Sequence, residues 1–96
     1  MEFGMPDALL SEIAALARAH GLDKVILFGS RARGDHRPTS DIDLAVSGGD
    51  VDAFSVDVRE ETDTLLDFDI VNLDRSVQAA LLRAIEGEGR IIYEKV

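Results

Sequence analysis

Cysteine is absent from the 96-residue chain, so neither a disulfide framework nor a thiolate metal site is available to it. That absence suits a reducing compartment, and the cytosol is the expected location. Proline is scarce as well. Two prolines and 46% apolar residues allow a continuous core, and a disordered chain is disfavoured. Basic residues are the next shortage: 10 Lys and Arg stand against 19 Asp and Glu, for a formal charge of -9. Such a chain does not gain affinity by neutralising a nucleic-acid or anionic membrane backbone. Direct nucleic-acid binding is therefore not expected, and a polyanionic ligand would need a local basic site or a bridging metal. No stretch approaches 18 consecutive apolar residues, and Glu2 and Asp7 stand where an export signal would be basic. Residues 1–96 are expected to form a single domain, since the length matches one core. Met5 offers an alternative start, so residues 1–4 are expected to be a vector remnant and are set aside from the fold reading.

What is present alternates helical and strand patterns. From Pro6 to His20, Leu9, Leu10, Ile13, Leu16 and Ala17 recur at spacings of three and four, which predicts an amphipathic helix stopped at Gly21. Val25 to Phe28 is a short apolar run, expected as a strand buried on both faces. Asp41 to Val46 alternates with period two and predicts a second strand. Residues 50–62 carry a weaker helical stripe of Val51, Phe54, Val58 and Thr62. Leu65 to Leu73 alternates again as a third strand, Arg75 to Gly87 reads as a helix ended by Gly87, and Ile91 to Tyr93 closes as a last strand. The expected class is α/β (α+β), a small mixed sheet packed by helices. Tyr93, the single tyrosine, is expected to pack there with its hydroxyl wet.

Charge is unevenly spread. Asp41 to Asp74 holds 11 acids and one base, Arg59, whereas Lys24, Arg31, Arg33 and Arg37 cluster just before. A solvated acidic surface would account for many of these carboxylates. Asp41 and Asp43 differ, because two residues apart on a strand they leave the same face while Ile42, Leu44 and Val46 fill the other. Two like charges about 4 Å apart repel by roughly 4 kcal/mol at an effective dielectric of 20, so such a face favours a divalent cation. Immediately upstream, Phe28-Gly29-Ser30-Arg31-Ala32-Arg33-Gly34 reads as a strand entering a glycine-flanked turn where a helix begins. That geometry presents backbone N–H groups to phosphate. A helix starting near Ser30 would put Ser30 and Arg33 on one face, a hydroxyl and a guanidinium suited to a phosphate chain. Mg²⁺, held by one or two carboxylates and by substrate phosphates, would join the two halves. Arg31 is expected as an exposed helical arginine, and His36 in the polar loop as a surface residue rather than a base.

Gly29-Ser30, ten intervening residues and then Asp41-Ile42-Asp43 resemble the signature of the DNA polymerase β-like nucleotidyltransferases. Neither half is specific alone; the spacing on a strand-turn-helix-loop-strand frame carries the likeness. The string GSRARGDHRPTSDIDLAV closely resembles the smallest branch, the minimal nucleotidyltransferase antitoxins encoded beside HEPN-domain partners. The resemblance spans most of the chain, from Val25 to the last strand. It implies that Gly29 and Ser30 contact the triphosphate of ATP, that Arg33 assists, and that Asp41 and Asp43 hold two Mg²⁺ ions. A third family carboxylate lies on a later strand before two apolar residues. Asp69, before Ile70-Val71, is the best match, and Asp67 is the runner-up. Attack at the α-phosphorus would then expel pyrophosphate without a covalent enzyme intermediate.

Larger relatives add a helical region that binds the acceptor, and nothing in these 96 residues corresponds to one. The resemblance therefore implies a HEPN-domain partner, typically an RNase toxin. The leading expectation is an antitoxin enzyme that transfers AMP from ATP to a tyrosine of that toxin, and the acidic charge suits a basic partner. Two alternatives stand beside it: a catalytic subunit that adenylylates a small molecule in a pocket formed with a helical partner, and a non-catalytic nucleotide-binding antitoxin acting by occlusion.

Overall fold

The computed structural model describes residues Met1–Val96, with the element order α1 (Asp7–Ala19), β1 (Lys24–Phe28), α2 (Ser30–Arg33), β2 (Ile42–Ser47), α3 (Val51–Glu61), β3 (Phe68–Asn72), α4 (Ala79–Glu88) and β4 (Arg90–Glu94). The strands form one mixed sheet in the order β3-β2-β1-β4. β1 runs antiparallel to both β2 and β4, whereas β3 runs parallel to β2. A parallel neighbour requires a crossover, and α3 supplies it. This is the mixed sheet with helices that the alternating patterns predict.

The two faces of the sheet are unequal. Val25 and Leu27 of β1, with Ile42, Leu44 and Val46 of β2, point to the face covered by α1 and α3, which contribute Leu9, Ile13 and Ala17, and Val51, Phe54 and Val58. Burying a side chain such as Ile13 contributes about 2 kcal/mol. The opposite face is thin: Phe28, Ala45 and Ile85 of α4 are buried together, with Ile26, Val71, Leu73 and Leu81 around them. Asp43 lies on this second face, beyond the patch that α4 covers. The weak stripe over residues 50–62 does form a helix, because Asp50 caps it by accepting from the N–H of Ala53 at 3.1 Å. No helix is long and apolar enough to cross a membrane.

Several ends shift by one residue, so that Asp41 lies just before β2 rather than within it, and three further boundaries differ from the sequence reading. The alternation over Leu65 to Asp67 does not become strand. β2 begins at Ile42, whose register partner is Phe68, so earlier residues have no ladder to join, and Leu65 is fully exposed. α4 begins at Ala79 rather than Arg75, since residues 72–75 form a turn in which Asn72 Oδ1 accepts from the N–H of Asp74 at 2.9 Å and Asn72 O from that of Arg75 at 3.2 Å. Finally, α4 continues through Gly87 to Glu88. Its stop is Gly89, whose N–H donates to Ile85 O at 2.8 Å.

Candidate active site

β1 delivers the chain to Gly29, whose backbone has φ 76° and ψ -157°, a conformation open to glycine and strained for L side chains. A Cβ here would collide with the Asp43 carboxylate, so glycine is what lets that carboxylate lie against the turn. Gly29→Ala is expected to cost about 2 kcal/mol through backbone strain and the displaced carboxylate. Thermal melting measures the cost, and an unchanged midpoint would contradict it.

The sheet register does the rest. Asp43 sits opposite Phe28 on β1 and beside Asp69 on β3, so Asp43 and Asp69 are neighbours on one face. Asp41 precedes β2 on the same side, and Asp67 precedes β3, where its carbonyl accepts from the N–H of Ile42 at 2.9 Å. Asp43 is half-buried while Asp41, Asp67 and Asp69 are exposed. Burial first, then Asp69, then Asp41, push the Asp43 carboxyl above the usual carboxylate range, against the opposing pull of Arg33 and Arg31. Burial and the neighbouring carboxylates thus act together on the central member.

Several other acids have plain structural duties. Asp50 caps α3, Asp57 lies 2.7 Å from His20, and Asp74 accepts from the N–H of Gly48 at 2.8 Å. These uses separate the structural acids of the 41–74 stretch from the group around Asp43.

Ser30 opens α2, next to Gly29, and Arg33 ends it. Arg33 donates through Nε to Asp35 Oδ2 and through Nη1 to Glu88 Oε1, both at 3.1 Å, and these bonds hold its guanidinium charge more firmly than usual. The N–H of Gly29 donates to the same Glu88 oxygen at 3.2 Å. Neither Asp35 nor Glu88 is signalled by sequence spacing, since Glu88 is 55 residues from Arg33.

Arg31 overturns its expectation as an exposed helical arginine: it is 1% exposed. Its Nε and Nη2 donate to Ser40 O at 3.1 and 2.9 Å, Nη2 to Pro38 O at 3.3 Å, and Nη1 to Phe3 O and Gly4 O at 3.0 and 3.2 Å. Phe3 and Gly4, set aside from the sequence reading, are thereby tied to the loop that leads into Asp41. Burial lowers the pKa of Arg31 while Asp43 raises it. His36 is also less exposed than expected, packed against Gly4 with its Nδ1 enclosed and unpaired.

No three His, Asp or Glu side chains are gathered closely enough to cage a cation by themselves. Mg²⁺ does not require such a cage, because it keeps several waters and binds through one or two carboxylates plus substrate phosphates. A half-buried carboxylate beside two exposed ones, facing a Gly-Ser turn, fits a cation shared with a nucleotide. The two concavities of the surface lie elsewhere, one of about 320 Å³ beside Arg18 and Tyr93, the other of about 410 Å³ beside His36 and Pro38. The carboxylate face itself is open.

The family profile described as polymerase beta, nucleotidyltransferase matches residues 11–96. No curated protein matches the sequence. Among solved structures, a toxin-antitoxin with AMP-PNP is similar at 26% identity and a TM-score of 0.72, over 90% of this chain and 73% of that one. A mutant of the toxin-antitoxin MntA-HpeT is similar at 26% identity and 0.69, over 88% and 72%. A structure described as a minimal nucleotidyltransferase is similar at 26% identity and 0.70, over 94% and 95%. With its four-stranded mixed sheet, its Gly-Ser turn and its aspartates on adjoining strands, this chain belongs to the polymerase β nucleotidyltransferase family.

Proposed function

We propose that the protein is an antitoxin that transfers AMP from ATP to a tyrosine of a HEPN-domain RNase toxin, with Mg²⁺ as cofactor. The observation that carries the catalytic part is the register that puts Asp43 between the Gly29 turn and Asp69. The toxin-antitoxin neighbours support the biological part.

In this reading the N–H of Gly29, the Ser30 hydroxyl and the Arg33 guanidinium receive the triphosphate. Asp41 and Asp43 would hold the cations that accompany it, and Asp69, rather than Asp67, would complete the set because it is the register partner of Asp43. Mg²⁺ held by these carboxylates would supply neutralisation of charge on the phosphates and acidify the attacking hydroxyl. The tyrosine hydroxyl gives up its proton, to Asp69 or to water, as its oxygen forms a bond to the α-phosphorus and the bond to pyrophosphate breaks in line. The residues named position these partners, and none becomes covalently modified. The open carboxylate face suits an acceptor presented by a second protein, which would close over the site and exclude water.

The test is the mass of a HEPN-domain protein co-expressed with this chain or with its Asp41→Asn/Asp43→Asn variant. A gain of one or more AMP units, roughly 329 Da each from transfer with loss of pyrophosphate, is expected with the unaltered chain only. No gain with either form, alongside a stable complex with both, would replace this reading with occlusion or with a small-molecule acceptor.

A further inference from the structure

The oxygen that sits where a phosphate is expected belongs to the protein itself. Glu88 Oε1 accepts from the N–H of Gly29 and from Arg33 Nη1, which are two of the three donors assigned above to the triphosphate. A single carboxylate oxygen shared by a backbone N–H and a guanidinium is the contact a phosphate oxygen would make. Glu88 is 59 residues from Gly29 in sequence and reaches it from the last residue of α4.

We propose that Glu88 is a built-in competitor for the nucleotide, an affinity-setting residue that fills the phosphate cradle of the empty protein and must leave when ATP binds. This rests on the assignment of Gly29 and Arg33 to the triphosphate. Three features make the exchange feasible. The Glu88 side chain is 26% exposed and that of Arg33 46%, so the pair opens toward water without disturbing the core. Gly87 and Gly89 flank Glu88, leaving its side chain free of bulky neighbours in sequence. The anchor of α4 is Ile85, buried against Phe28 and Ala45, three residues before Glu88, so rotation of the Glu88 side chain leaves the helix seated. Arg33 meanwhile keeps a second carboxylate, Asp35, and stays oriented during the exchange.

The packing of Ile85 on Phe28 and Ala45 brings the end of α4, which carries none of the motif, beside the motif. Glu88 satisfies Gly29 and Arg33 until substrate displaces it. It also imposes selectivity, because a weakly charged anion gains less from displacing a carboxylate than a triphosphate does.

Calorimetric titration of ATP with Mg²⁺ into the whole protein tests this, using the unaltered chain and Glu88→Gln, Glu88→Asp, Arg33→Ala and Glu88→Gln/Arg33→Ala variants. Glu88→Gln removes the competing charge, and Glu88→Asp keeps the charge but shortens its reach. Glu88→Gln is expected to bind ATP about fivefold more tightly than the unaltered protein, the scale of an exposed ion pair plus relief of charge repulsion, and Glu88→Asp about two- to threefold, from loss of the ion pair alone. The gain should be clearly smaller in the Arg33→Ala background, where the competitor keeps only the Gly29 N–H. Equal or weaker binding by Glu88→Gln and Glu88→Asp, with Arg33→Ala still weakening ATP, would overturn the competitor role and leave the cradle standing. ATP binding that ignores Arg33→Ala would overturn the cradle and the competitor together. Should either Glu88 variant fail to fold, the unaltered chain decides: isotope-edited carboxylate NMR must show the Glu88 signal moving to its free position as ATP is added, and a signal that stays in place would refute the exchange.

Discussion

Asp43→Asn is expected to give a protein that melts higher than the unaltered chain and transfers nucleotide at least about a hundredfold more slowly. The loss follows from removing the central ligand of the proposed cation site, where metal stabilisation of transition-state charge contributes several kcal/mol. The gain in stability follows from the same group. Burial, Asp69 and Asp41 raise the folded-state pKa of Asp43 above its unfolded value. The folded state therefore binds that proton more tightly, and the stabilisation is full below the unfolded carboxylate pKa and lost as pH rises through the higher folded value. At neutral pH the ionised Asp43 is a net cost. Neighbouring strands are about 4.8 Å apart, and like charges at that distance repel by about 3 kcal/mol at a dielectric of 20. Solvent around the exposed Asp41 and Asp69 screens most of this, leaving about 1 kcal/mol, or a rise in Tm of about 4–8 °C for a domain of this size. Without divalent cation, the two proteins should converge in stability as the pH falls through the carboxylate range. Added Mg²⁺ should stabilise the unaltered chain much more than the variant. A variant that melts lower at neutral pH would show that Asp43 is held by something other than this carboxylate group.

How much of this was legible in the sequence depends on how local each cause is. Gly29, Ser30, Asp41 and Asp43 lie within fifteen residues of one another, and strand period two predicts both aspartates on one face, although only Asp43 lies within β2. The elements follow from periodicity in the same way. The failures are tertiary. Residues 65–67 alternate as a strand should, yet β2 offers them no ladder before Ile42. The pattern ranks Asp69, which precedes Ile70-Val71, above Asp67, but only the parallel register pairs Asp69 with Asp43. Arg31 and Arg33 are chemically identical and two residues apart, yet the turn of α2 sends one into the interior and the other to the surface. Glu88 meets Gly29 because α4 packs Ile85 onto Phe28 and Ala45, a contact no motif encodes.

Arg31→Ala is expected to be the most destabilising single change outside the apolar core. Arginine is rarely fully buried without partners, and here one guanidinium supplies five hydrogen bonds to the carbonyls of Phe3, Gly4, Pro38 and Ser40. Hydrogen bonds from a charged donor contribute about 1.5–3 kcal/mol each, and unpaired buried acceptors cost more than the average bond. Water can reach some of these carbonyls once the side chain is gone, so the net loss is set at about 3 kcal/mol, a large share of the 5–15 kcal/mol typical of a domain. Tm should fall by about 12–24 °C. Arg31→Lys should recover less than half of this, because an ammonium is a compact point charge and cannot span carbonyls on two sides as a planar fork does. The consequence for the site is specific. Ser40 precedes Asp41, so loosening its carbonyl frees the loop that brings Asp41 beside Asp43, while Asp43 and Asp69 remain held by the β2–β3 register. At a temperature where Arg31→Lys is still folded, its Mg²⁺ requirement for transfer should therefore rise several-fold more than its ATP requirement. A melting midpoint within a few degrees of the unaltered chain, or equal changes in both requirements, would mean that the clamp does not position Asp41.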